Sequence, residues 1–86
     1  MTHGMLITTK GNNITVWGHV YNTREFCEFM QWAIDGSTKS SAFLLVDCET
    51  EKVYDAYSIA TNKYHMRKRT FDERINDVKT YCIEEE

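Results

Sequence analysis

Apolar and polar positions alternate at the start of the chain. Met5 to Lys10 and Ile14 to Tyr21 each read as a strand, and Gly11, Asn12 and Asn13 between them predict a hairpin turn. Side chains alternate along a strand, which sets Ile14, Val16 and Val20 on one face and Thr15, Trp17, His19 and Tyr21 on the other. Helices on the aliphatic face would turn the aromatic rings outward. Helices on the aromatic face would make Trp17 part of the core.

The period then changes from two to about 3.6. Phe26, Phe29, Met30, Ala33 and Ile34 share one helical face. Asn22 with Glu25 three residues on is a capping pair that starts this helix, Tyr21 and Phe26 can form a hydrophobic staple across its start, and Gly36 marks its end. A polar stretch from Gly36 to Ser41 leads to a third strand, Ala42 to Cys48. Its unbroken run Phe43-Leu44-Leu45-Val46 predicts a central place in the sheet. Glu49-Thr50-Glu51 forms the next turn, and Lys52 to Ser58 returns as a partner strand. Ile59 to Arg69 reads either as a further strand or as a loop with a helical turn. Thr70 and Glu73 form a second capping box, after which Phe71, Ile75, Val78 and Cys82 line one face of a helix.

The expected fold is α+β: a small antiparallel sheet, in the order ββ-α-ββ-(β)-α, with two helices packed on one face. At 86 residues the chain holds one core, so residues 1–86 are read as a single domain. Its 13% aromatic content separates it from disordered chains.

Composition narrows the chemistry. No run approaches the ~20 apolar residues of a membrane helix, and Met1 to Met5 lacks the basic-then-apolar order of a secretory signal. Cys27, Cys48 and Cys82 are odd in number and widely spaced, a pattern read as reduced thiols in a cytoplasmic protein (host cytoplasm if viral). Cys27 and Cys82 fall on or near apolar helical faces, where thiols are usually inert. His3, His19 and His65 show no zinc-finger spacing with these cysteines, and no phosphate loop or nucleophile motif is present. The chain is therefore expected to be neither an enzyme nor a cofactor or metal protein.

Three groups point to binding instead. Trp17, Tyr21 and Trp32 are the ring types that dominate binding hot spots, with Trp32 placed at the flank of its helix's apolar face. Asp47, Glu49, Glu51 and Asp55 make an acidic hairpin suited to steering a basic partner. They lack the Gly at the sharp turn and the Glu at position 12 of a calcium loop. Lys63, Tyr64, His65, Arg67, Lys68 and Arg69 form a basic segment, although the chain as a whole carries net charge −3. That segment could neutralise phosphates while Tyr64 stacks on a base, or it could pair with the acidic final helix. Glu84-Glu85-Glu86 opposes the helix dipole and predicts a frayed, mobile end. The profile is that of a small regulatory or inhibitory protein, analogous to bacterial and phage accessory proteins, that binds another protein's surface. Nucleic-acid binding through residues 63–69 is the alternative, and a homodimer is compatible with either.

Overall fold

In the computed structural model, which describes residues 3–61 and 68–85, the elements follow in the order β1 (Gly4–Lys10), β2 (Asn13–Val20), α1 (Thr23–Gly36), β3 (Ala42–Asp47), β4 (Val53–Asp55), α2 (Ala56–Thr61) and α3 (Phe71–Glu85). The strands form one antiparallel sheet, ordered β2-β1-β3-β4. The expected α+β class holds, and the apolar strand β3 is central, paired on both edges. Gly11 turns the first hairpin at φ 59°, a conformation that costs glycine little.

Both capping pairs form. Asn22 Oδ1 accepts from the Glu25 backbone N–H at 2.8 Å, and Thr70 and Glu73 exchange reciprocal bonds of 3.1 and 3.2 Å. These bonds satisfy N–H groups that the first helical turn leaves without carbonyl partners. From α1, Phe26, Met30 and Ala33 are buried against Leu6, Val20, Phe43 and Leu45 of the sheet. Among the described residues, Phe26, Leu6, Met30 and Val20 are the largest fully buried side chains, each worth about 1.5–3 kcal/mol of transfer free energy. Val78 of α3 and Ala56, Tyr57 and Ala60 of α2 complete this core.

Three sequence expectations change. The return strand stops at Asp55 instead of reaching Ser58. Asp55 Oδ1 accepts from the Tyr57 N–H at 2.9 Å and its carbonyl accepts from the Ser58 hydroxyl at 2.7 Å, so the chain turns into α2. That short helix buries three side chains that a strand would have alternated across the sheet.

Cys27 and Cys82 are not free thiols but a disulfide, with Cα atoms 5.7 Å apart. Each lies on an apolar helical face, and packing α1 beside α3 brings those faces together across 55 residues of sequence. The bond removes two of the three thiols on which the reduced-compartment expectation rested. Cys48 remains free and exposed.

The third change is at the acidic end, which stays helical through Glu85. Cys82 ties the last turns of α3 to α1, and Tyr81 meets Phe26 edge-on at 6.2 Å. Tertiary contacts there outweigh the unfavourable helix dipole. Among the described residues, no helix is long and apolar enough to cross a membrane.

Candidate functional site

The arrangement of the first hairpin decides which surface is available. Leu6 pairs with Gly18 but Ile7 pairs with Val16, so Trp17 is an extra residue without a partner on β1. Such a bulge breaks the strict alternation of β2. Before it, Ile14 and Val16 face away from the helices and are 66% and 55% exposed. After it, Gly18 and Val20 face the helices, and a Cβ on Gly18 would lie 2.9 Å from the Phe29 ring of α1. The aliphatic face predicted from Ile14, Val16 and Val20 is therefore split between the two sides of the sheet.

Trp17 goes to the helix side. Its Nε1 donates to Thr8 Oγ1 at 2.9 Å, and its ring lies over the end of α1. A Cβ at Gly36 would stand 2.6 Å from Trp17 Cη2, so Gly36 ends the helix where the indole needs its space. The arrangement with Trp17 as an outward anchor is thereby corrected: the ring is partly buried and packs against the core.

The opposite face of the sheet is aliphatic. The register aligns three rows across it: Ile14 with Thr9 and Ala42; Val16 with Ile7, Leu44 and Asp55; and His19 with Met5, Val46 and Val53. The sheet residues of the core cluster, Leu6, Val20, Phe43 and Leu45, all lie on the other face, where the helices pack. Ile7 is buried by its neighbours, whereas Ile14, Val16 and Val53 are more than half exposed. Among these paired residues the one charge is Asp55, at the edge.

The turn from β3 to β4 rims this face with carboxylates. Asp47 accepts from the Glu49 and Thr50 N–H groups at 2.9 and 3.1 Å, and these backbone bonds hold its pKa below the usual carboxylate range. Glu51 adopts φ 62°, a left-handed conformation unusual for a residue with a side chain. Glu49 and Glu51 are exposed, Asp47 organises the turn, and Asp55 caps α2. The hairpin thus divides into two outward carboxylates and two structural ones.

The remaining predicted residues separate. Tyr21 is 54% exposed and its ring stacks on His3, with centroids 4.5 Å apart and planes at 6°. Trp32 is 53% exposed and leans on Phe29, but it belongs to the helix layer and lies off the open sheet face. Of the basic segment, Lys63, Tyr64, His65 and Arg67 lie outside the described residues. Lys68 is exposed. Arg69 is committed to α3: its Nε donates to Asp77 Oδ2 at 2.7 Å, Nη2 donates to Asp77 Oδ1, and Nη1 donates to Glu73 at 3.1 Å. Asp77 is buried, and this bonding raises the Arg69 pKa. A guanidinium held in this way closes the helix layer and has little freedom to meet a phosphate.

Strict alternation along β2 pools Val20 with Ile14 and Val16 and so hides the open face. The available signal was Trp17-Gly18, a glycine beside a large ring inside a strand, which marks a bulge. No protein-family model, curated protein or solved structure matches this chain.

Proposed function

We propose that this chain is a small protein-binding module with a regulatory or inhibitory role, and that the open face of its sheet is the docking surface. The supporting observation is a nearly charge-free aliphatic face that nothing among the described residues covers, beside the Glu49 and Glu51 turn, on a domain whose other sheet face is already filled by helices. The partner is another protein that presents an apolar patch with basic residues at its edge. Four strands spaced about 4.8 Å apart, with a rise of about 3.3 Å per residue, give the three rows a footprint of only a few hundred Å². A stable interface takes about 800 Å² from each partner, so the apolar rows need rim contacts to be sufficient. A second copy would bring the same acidic rim and the same net charge of −3, which repel. A basic rim on a different protein complements both.

The test uses Val16→Glu and Val53→Glu, at positions exposed enough to leave the fold intact, with Trp32→Ala as an off-surface comparison. A partner captured by the wild-type chain should bind each Glu variant at least tenfold more weakly and Trp32→Ala normally. Glu49→Lys with Glu51→Lys should slow its association. Binding lost in Trp32→Ala but retained in the Glu variants would move the site to the helix layer and overturn the proposal. So would a wild-type dimer by light scattering that Val16→Glu makes monomeric. Capture abolished by nuclease would favour the basic segment instead.

A further inference from the structure

At one end of the open face, three side chains distant in sequence converge through the sheet register. The His3 carbonyl accepts from the Cys48 N–H at 3.0 Å, which extends the β1–β3 ladder past Gly4 and Asp47 and makes His3 and Cys48 cross-strand neighbours. His19 stands opposite Met5 on β2, diagonal to His3. The three ligand-type atoms all lie within 4.8 Å of one another.

His3 Nε2 and His19 Nδ1 are 2.9 Å apart, with ring centroids 5.1 Å apart. One nitrogen must hold the proton and the other a lone pair, so two metal-binding atoms already face each other across a single hydrogen. The Tyr21 ring, stacked on His3, restrains the orientation of that imidazole.

We infer that His3, His19 and Cys48 form a mononuclear site for a zinc-class divalent ion, with solvent as the fourth ligand. Two imidazoles and a thiolate are a borderline-soft donor set that suits zinc and not a hard cation. In a tetrahedral site two ligand nitrogens stand about 3.3 Å apart, and a nitrogen and a sulfur about 3.6 Å apart. The imidazoles need to open by a few tenths of an ångström, and Sγ needs to approach by about one. Rotation of the exposed His19 and Cys48 side chains supplies both movements while His3 stays stacked on Tyr21. On binding, the Cys48 thiol proton goes to solvent. The imidazole that had donated gives up its inward proton to solvent and takes one from solvent on its outward nitrogen, so that it stays neutral and its inward lone pair is free for the metal. The site is independent of the docking proposal, since its ligands need no partner protein.

Co²⁺ is the first probe, added to the oxidised full chain, in which Cys48 is the free thiol and the Cys27–Cys82 disulfide contributes no thiolate. One equivalent should produce a thiolate-to-cobalt charge-transfer band together with the visible bands of a tetrahedral ion, and Zn²⁺ should displace both. Cys48→Ser should abolish the charge-transfer band, and His3→Ala and His19→Ala should each weaken Zn²⁺ binding at least tenfold in a chelator competition. Circular dichroism of the variants keeps loss of ligand separate from loss of fold. Absence of a charge-transfer band in the folded wild-type chain would overturn the assignment. Zinc affinity unchanged by Cys48→Ser or by His19→Ala would do the same, because the ion would then be held elsewhere.

Discussion

Breaking the Cys27–Cys82 bond should be the most damaging single chemical change to this fold. The bond joins α1 to α3 across 55 residues, so it restricts most of the unfolded chain. The loop-entropy relation gives about 4 kcal/mol for a loop of that length. Domains in this size range total only about 5–15 kcal/mol, so the reduced protein is left near the margin of stability. At roughly 2 cal/mol/K of unfolding entropy per residue, 4 kcal/mol corresponds to a fall in Tm of roughly 20 °C.

The measurement is urea unfolding followed by circular dichroism, on a Cys48→Ser background to prevent exchange with the free thiol. It compares the oxidised chain with the Cys27→Ala/Cys82→Ala variant. The variant should unfold at lower urea and with a steeper m value, because its denatured state is no longer held compact. Titration of the denatured wild-type chain without reductant should find one thiol. Three thiols would refute the bond itself. One thiol with a Tm change of only a few degrees would refute the entropic reasoning and would mean that the reduced denatured chain already keeps α1 and α3 together.

Three further changes test separate parts of the structure. Glu51→Gly should raise stability by about 1 kcal/mol, seen as a higher urea midpoint, because Glu51 sits at φ 62° with no steric need for a side chain. Tyr57 is buried with no partner for its hydroxyl among the described residues, and burial pushes its pKa up to about 12. Tyr57→Phe should therefore leave stability at neutral pH unchanged or raise it by up to about 1 kcal/mol. The unfolded phenol ionises first, so wild-type stability should decline as pH rises from about 10 to 12, and alkaline titration of the variant should lack that component. Gly36→Ala should cost about 1–3 kcal/mol despite alanine's better helix propensity, because its Cβ collides with Trp17. A normal or raised Tm would show that the indole does not pack there.

Local signals in the sequence were reliable where one element decides its own form. Asn22 with Glu25 and Thr70 with Glu73 cap helices because the side chain and the N–H it satisfies are three residues apart. The run Phe43 to Val46 placed β3 centrally because both of its edges are paired, with Phe43 and Leu45 buried under the helices and Leu44 and Val46 half-buried on the open face. The strand predicted to Ser58 failed for a local reason that the apolar pattern hides: Ala56, Tyr57 and Ala60 look equally apolar at either period, and Asp55 settles the matter by capping a helix. The disulfide was equally inaccessible, since a separation of 55 residues carries no information about which helices lie side by side.

The open face and the histidine–cysteine group have one origin in the sheet register. A strict alternation from Ile14 to Tyr21 allows only one aliphatic side and one aromatic side. Inserting Trp17 as an unpaired residue lets β2 contribute Val20 to the core and Ile14 and Val16 to the outside. It also leaves His19 opposite Met5, on the same side as Ile7 and Val16, which is the position that brings it to His3. A one-residue slip of β2 would move His19 to the helix side and Val20 to solvent, so selection for a buried Val20 fixes His19 outward at no further cost. Burial of Val20, which is fully enclosed, therefore holds the geometry of the proposed metal site more firmly than the contacts of its own exposed ligands do.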